Sequence, residues 1–198
     1  MASASEHGGL QTPSAWVLRF LPLIPAGPVL DLACGNGRHA RLLANAGHPV
    51  LAVDRNGEAL AQLAAHGDPR IGTSQVDLEA AEAAEQQSGW PLKPSAYRGI
   101  IVTNYLHRPL FPALFESLAA GGILIYETFA VGNGRYGKPS SPAFLLEAGE
   151  LLALTASAGP AFRVIAFEDG HVATPRPAMV QRICVIRGQP ADDAGLSL

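Results

Sequence analysis

Cysteine is scarce: the 198 residues contain two, Cys34 and Cys184. One lies in a glycine-rich turn and the other in an apolar run far along the chain, so no disulfide framework is expected and a reducing, cytoplasmic setting is. Positive charge is not in excess either. Fourteen Lys and Arg stand against seventeen Asp and Glu, for a net charge of −3, which gives no support to a nucleic-acid binder with its basic domain or stripe. No apolar run reaches the roughly 18 residues of a membrane span, and the small polar N-terminus lacks a secretory leader's layout. Internal repeats and low-complexity blocks are missing, and no metal site is expected. What remains is 48% apolar and 16% charged, the composition of one well-packed domain. The organisation expected is a flexible lead-in over 1–11, one domain over 12–187 and a frayed tail over 188–198.

The chain is organised around the stretch from Val29 to Ala40: an apolar run, an acid, a turn of small residues, then a helical pattern. A strand ends here and a helix begins. Glycines at Gly35 and Gly37 allow positive φ and let a ligand approach the backbone, while the free N–H groups of the new helix favour an anion. Gly35, Gly37 and Ala40 by themselves also fit a dinucleotide fingerprint. Asp31, placed before the glycines, separates the two readings.

Upstream, Thr12-Pro13-Ser14 starts a short helix carrying Trp16, Val17, Phe20 and Leu21, and Pro22, Pro25 and Pro28 stop it. Downstream, apolar runs at 50–53, 71–76, 99–103 and 123–126 read as strands, with Asp54, Asp77, Asn104 and Glu127 at or beyond their ends. Helices are expected after the glycine turn, with Ala40, Leu43 and Ala44 inward and Gly47 as its cap, and over 56–66 with Leu60, Leu63 and Ala64 inward. Two more are expected over 112–120 and over 144–158, the last with Leu145, Leu146, Leu151, Leu152 and Leu154 available for burial. Residues 79–87 read as a solvated helix or turn. The Gly-, Ser- and Pro-rich stretch 131–142 reads as a loop long enough to be a lid. Two last strands are expected over 162–167 and 180–186. This alternation predicts an α/β fold, a mostly parallel sheet with helices on both faces, whose ligands bind at the carboxyl ends of the strands.

On these residues the chain resembles the class I S-adenosylmethionine-dependent methyltransferases over about 13–187. The family pattern of an acid followed by three alternating glycines stands here as Asp31-Leu32-Ala33-Cys34-Gly35-Asn36-Gly37, with Ala33 in place of the first glycine, a change expected to tighten packing slightly without loss of binding. The resemblance implies a single Rossmann-like domain with a seven-stranded sheet and an antiparallel last strand. It also implies S-adenosylmethionine as cofactor. Asp54, about twenty residues beyond the glycine turn, matches the acid that takes the ribose hydroxyls, with Arg55 beside it. Asp77 and Leu78 match the adenine position, and Asn104 and Tyr105 the segment along the methionine moiety and methyl group. Asp31 orders the turn or meets the cofactor's amino group, and Arg38 is a candidate partner for its carboxylate. Gly-Asn-Gly-Arg-His together with the late Gly149-Glu150-Leu151 is similar to the small tellurite-resistance-like methyltransferases. That implies a small-molecule acceptor: a thiol, a chalcogen oxyanion or another soft nucleophile.

Transfer from a sulfonium is an in-line displacement at an already activated bond, so positioning alone can supply much of the acceleration. A harder acceptor needs a base, and Tyr105, His107 and Glu127 are the candidates. Two of them have a plainer alternative: His107 facing solvent, Glu127 capping or orienting the rim. Trp16 either closes over the cofactor or packs its helix on the sheet. Arg135, Tyr136 and Lys138 either grip an anionic acceptor or stand in solvent. Other functions remain open: a non-catalytic sensor or partner subunit binding S-adenosylmethionine or S-adenosylhomocysteine, an NAD-dependent oxidoreductase, and an RNA methyltransferase. No partner protein, membrane or oligomeric state is implied.

Overall fold

The apolar runs form the middle of a seven-stranded sheet in the computed structural model, which describes residues 12–80 and 90–188. The expected flexible ends and the helix or turn over 79–87 lie outside the described residues, apart from Glu79, Ala80 and Gly188. In chain order the strands are β1 (Val29–Leu32), β2 (Val50–Asp54), β3 (Ile71–Gln75), β4 (Tyr97–Thr103), β5 (Leu118–Phe129), β6 (Phe162–Val172) and β7 (Ala178–Arg187). They are arranged β3-β2-β1-β4-β5-β7-β6. Strands β1 to β5 pair in parallel and β7 runs antiparallel to both neighbours, the Rossmann-like sheet that was expected.

Helices α1 (Ala15–Phe20), α2 (Arg38–Asn45) and α3 (Gly57–Ala65) cover one face; α4 (Phe111–Ser117) and α5 (Glu150–Ser157) cover the other. Alternation along each strand assigns side chains to layers. Leu30, Leu32, Ile100 and Val102 pack towards Leu114 of α4, whereas Val29, Ile101, Ile123 and Ile125 pack towards Trp16, Leu43 and Leu63. Asp31 falls on the same side as Val29, beneath α2, and every residue of β1 is buried.

The structure corrects several expectations. β5 begins at Leu118, not Ile123, and α4 stops at Ser117, because Leu118 pairs with Tyr97 across an irregularity between Tyr97 and Gly99. Residues 144–158 are not one helix. Leu146 instead bridges Ala130, its N–H donating to the Phe129 carbonyl at 3.0 Å while the Val131 N–H donates to the Leu146 carbonyl at 2.9 Å. Helix α5 starts only after Gly149, whose φ of +69° is left-handed. The buried Gln181 of β7 accepts the Leu151 N–H at 2.8 Å and donates to the Glu147 carbonyl at 2.7 Å, supplying a cap the helix lacks locally. Leu152 and Ala64 are exposed, against expectation. The last two strands run longer than their apolar centres, so only 173–177 connects them.

Candidate cofactor cleft and its rim

From β1 the chain winds to β2 and β3 on one side and returns to β4 on the other, so the crevice at the carboxyl ends of β1 and β4 is the point where strand order reverses. Ligands of open α/β sheets bind at such points. The glycine turn closes the end of β1. The Cys34 N–H donates to the Val53 carbonyl at 2.9 Å, and Ala33, Gly35 and Gly37 all have positive φ, +54°, +55° and +73°. At Ala33 the methyl group costs about 1 kcal/mol of backbone strain that glycine would not. The departure from the family pattern therefore shows as a strained conformation. A Cβ on Gly35 would meet nothing within 4 Å, leaving room for a ligand, whereas one on Gly37 would lie 2.5 Å from Leu63 Cδ2.

Asp54 at the end of β2 is held from two sides. Its Oδ2 accepts the Gly35 N–H at 2.7 Å and its Oδ1 accepts the Asn56 N–H at 2.9 Å. An ionised carboxylate has about four acceptor positions, so one on each oxygen is left for a ligand. Asp77 is similarly ordered, its Oδ1 accepting the Glu79 N–H at 3.0 Å.

Two adjoining clefts meet at Ala33 and Asn104, the latter also left-handed at φ +55°. The first, ≈ 510 Å³, runs past Asp54, Arg55, Asp77, Leu78 and Tyr105 to Leu106, Thr128, Phe129, Pro139 and Phe144. The second, ≈ 770 Å³, is bordered by Gly35, Asn36, Arg38 and Thr103 and by Asn56 at the start of α3. Of the residues expected to hold a cofactor, Ala33, Gly35, Arg38, Asp54, Arg55, Asp77, Leu78, Asn104 and Tyr105 thus border these spaces. Asp31 and Gly37 border neither and shape the turn from beneath.

Asp31 is 1% exposed and its Oδ2 has no hydrogen-bond partner among the described residues. Burial pushes its carboxyl up to about 7, against the pull of the Ala40 N–H, Arg38 and Arg41. His39 is pushed the other way, to about 3, by burial and then by Arg38. Its ring is therefore neutral. Because Nε2 accepts the Ser14 N–H at 3.0 Å, Nδ1 carries the proton and faces Thr103 Oγ1 at 3.4 Å. Burial also holds the Arg38 guanidinium below its ordinary range, and it donates to the Thr12 carbonyl and Thr103 Oγ1 at 3.3 and 3.4 Å.

Residues 29–121 match a family described as a methyltransferase domain. The match supports the expected enzyme class. No curated protein sequence matches. Solved structures share the fold. TehB of Haemophilus influenzae is 19% identical with a TM-score of 0.66, over 87% of this chain and 61% of that one. An S-adenosylmethionine-dependent methyltransferase of Mesorhizobium loti is 18% identical with a TM-score of 0.65, over 85% and 94%. The cyclase SpnF is 15% identical with a TM-score of 0.63, over 87% and 79%.

The three candidates for a base are placed differently. Tyr105 borders the first cleft; its hydroxyl is buried without a partner among the described residues, and burial with Glu79 and Asp77 nearby raises it well above the ordinary phenol range. His107 borders neither cleft. Glu127 borders neither as well: its Oε1 accepts the Ser14 hydroxyl at 2.8 Å and its Oε2 accepts from Arg182 at 3.3 Å. Trp16 is a packing residue, 2% exposed, with its Nε1–H on the Ile183 carbonyl at 3.3 Å. Arg135, Tyr136 and Lys138 are exposed and outside both linings, with Tyr136 against His171 at 4.9 Å between ring centres. Of the expected lid, Pro139 reaches the cleft, and the buried Asn133 anchors the segment through its Nδ2 on the Pro139 carbonyl at 2.9 Å and its Oδ1 on the Met179 N–H at 3.1 Å.

Phe144 was not foreseen at the site, and Pro139 only as part of the 131–142 loop. The only sign of them was the apolar and Gly/Pro-rich composition after β5. Among the described residues no cluster of three or more His, Cys, Asp or Glu could hold a metal, and no helix is long and apolar enough to cross a membrane.

Proposed function

We propose that the protein transfers the methyl group of S-adenosylmethionine to a small soft nucleophile by in-line displacement. The observation that carries this reading is Asp54, locked by the Gly35 and Asn56 N–H groups at the mouth of a cleft that also presents Asp77, Asn104 and Tyr105 within the matched segment. The residues fit the cofactor. The spare acceptor positions of Asp54 suit paired ribose hydroxyls, Asp77 and the Leu78 N–H suit an adenine edge, and the open space over Gly35 admits a ligand at the backbone. Arg38, bordering the second cleft, suits a carboxylate.

When bound, the cofactor supplies a methyl group on a positively charged sulfur. The chain's own part is to hold the acceptor in line and keep water out. Of the three candidate bases, His107 and Glu127 border neither cleft and Tyr105 keeps its proton, which favours an acceptor that needs no base. The likeness of Gly35-Asn36-Gly37-Arg38-His39 to the tellurite-resistance-like methyltransferases, and the shared fold with TehB, support a small-molecule acceptor. A screen with labelled methyl groups against thiols, selenite, tellurite, phenols and RNA tests this. Label in a small thiol or oxyanion is expected; label in RNA alone would overturn it.

A further inference from the structure

The two ends of the first cleft differ in chemistry. At the β2 and β3 end stand Asp54, Arg55, Asp77 and Glu79. Beyond Tyr105 the lining becomes Leu106, Thr128, Phe129, Pro139 and Phe144, with no cationic side chain among the described residues. Oxyanions are held by guanidinium forks or helix N-termini. Arg108, beside this end in the chain after Leu106, is already engaged, its Nε and Nη2 donating to the two oxygens of Glu150 at 2.6 and 2.8 Å. Arg108 also grips the turn on either side of Phe144, donating to the Ala143 and Leu145 carbonyls at 3.2 and 2.9 Å. Phe144 is therefore an aromatic ring 51% exposed on a fixed backbone at the cleft's edge. An exposed ring held so firmly beside a cleft is suited to an apolar ligand surface.

We propose that this end of the cleft, with Phe144 as its specificity-determining residue, takes an aryl thiol as the methyl acceptor. This rests on the methyltransferase reading above and narrows it. The carboxylates that border the cleft, Asp54, Asp77 and Glu79, stand at its other end, and beside Phe144 the described lining offers Leu106, Thr128, Phe129 and Pro139 but no base, so an acceptor that ionises by itself suits this end. Phenols, with a pKa of about 10, stay protonated at neutral pH. Aryl thiols are stronger acids than ordinary thiols, which ionise near about 8.5, and the thiolate is the reacting form. The proton leaves to solvent before transfer. A sulfur–carbon bond then forms as the carbon–sulfonium bond breaks, its electron pair staying on the donor sulfur; the products are an aryl methyl thioether and S-adenosylhomocysteine. Arg108 acts as a positioning residue through the turn that carries Phe144.

The test is calorimetry of thiophenol binding to the protein saturated with S-adenosylhomocysteine, with selenite and phenol as parallel probes. Thiophenol is expected to bind more tightly than either. Phe144→Ser is expected to weaken thiophenol about three- to ten-fold, with Phe144→Tyr restoring it and with the loss falling on thiophenol rather than on S-adenosylhomocysteine. Selenite or phenol binding in preference to thiophenol, no thiophenol binding to the loaded protein, or indifference of thiophenol to Phe144→Ser would each overturn the proposal. Failure of S-adenosylhomocysteine itself to bind would instead overturn the methyltransferase reading on which it rests.

Discussion

At the scale of single residues, the site joins two buried groups whose titrations oppose each other. Asp31 moves from 3.8 to about 7 on folding and His39 from 6.5 to about 3. The folded state binds a proton on Asp31 that the unfolded chain has released, so this contribution is full at low pH and is lost as pH rises to about 7. His39 does the reverse: its contribution is present above 6.5 and is lost as pH falls towards 3. Between about pH 4 and 6.5 the slopes offset. Asp31→Asn removes one of them, so acidification from pH 6.5 to 4 is expected to destabilise the variant more steeply than the parent, by up to about 1.4 kcal/mol per pH unit. Denaturant melts across pH 4 to 8 check this, and parallel profiles would contradict it. Asp31 was marked in the sequence by its place before the glycines. The coupling of His39 to Ser14 was not, because the partners are 25 residues apart and meet only when α1 docks.

At the scale of elements, strand centres and the glycine turn were legible because burial on both faces demands continuous apolar runs, and a strand-to-helix turn demands small residues. Element ends were less so. The start of β5 depends on pairing Leu118 with Tyr97, and α5 depends on a cap from Gln181, thirty residues beyond Leu151. No local pattern encodes either contact. The turn itself separates two kinds of glycine. Gly35→Ala is expected to cost about 1 to 2 kcal/mol from its left-handed φ. Gly37→Ala carries that cost and, with its Cβ 2.5 Å from Leu63, about 1 to 3 kcal/mol more from overpacking. Urea midpoints for the two variants measure the difference; equal losses would contradict the packing of α2 against α3.

At the scale of the whole molecule, the fold positions the site without dictating its reaction, and the cyclase SpnF shares that fold. The cofactor end of the cleft was readable because its residues close successive strands within 29–121, the segment that matches the methyltransferase domain family. The opposite end, proposed above for the acceptor, was not, since Thr128, Phe129, Pro139 and Phe144 lie beyond that segment and are gathered by the pairing of Leu146 with Ala130 and by the Arg108–Glu150 pair. The claim that joins the scales is that Asp54, held by Gly35 and Asn56, grips the ribose of S-adenosylmethionine. Its most direct measurement is calorimetry with S-adenosylmethionine, S-adenosylhomocysteine and NAD on the parent protein and Asp54→Ala. Binding of both adenosyl ligands and not NAD is predicted, weakened about ten- to hundred-fold by the substitution as charge-assisted hydrogen bonds are lost. Binding of NAD alone, or adenosyl-ligand binding indifferent to Asp54→Ala, would contradict it.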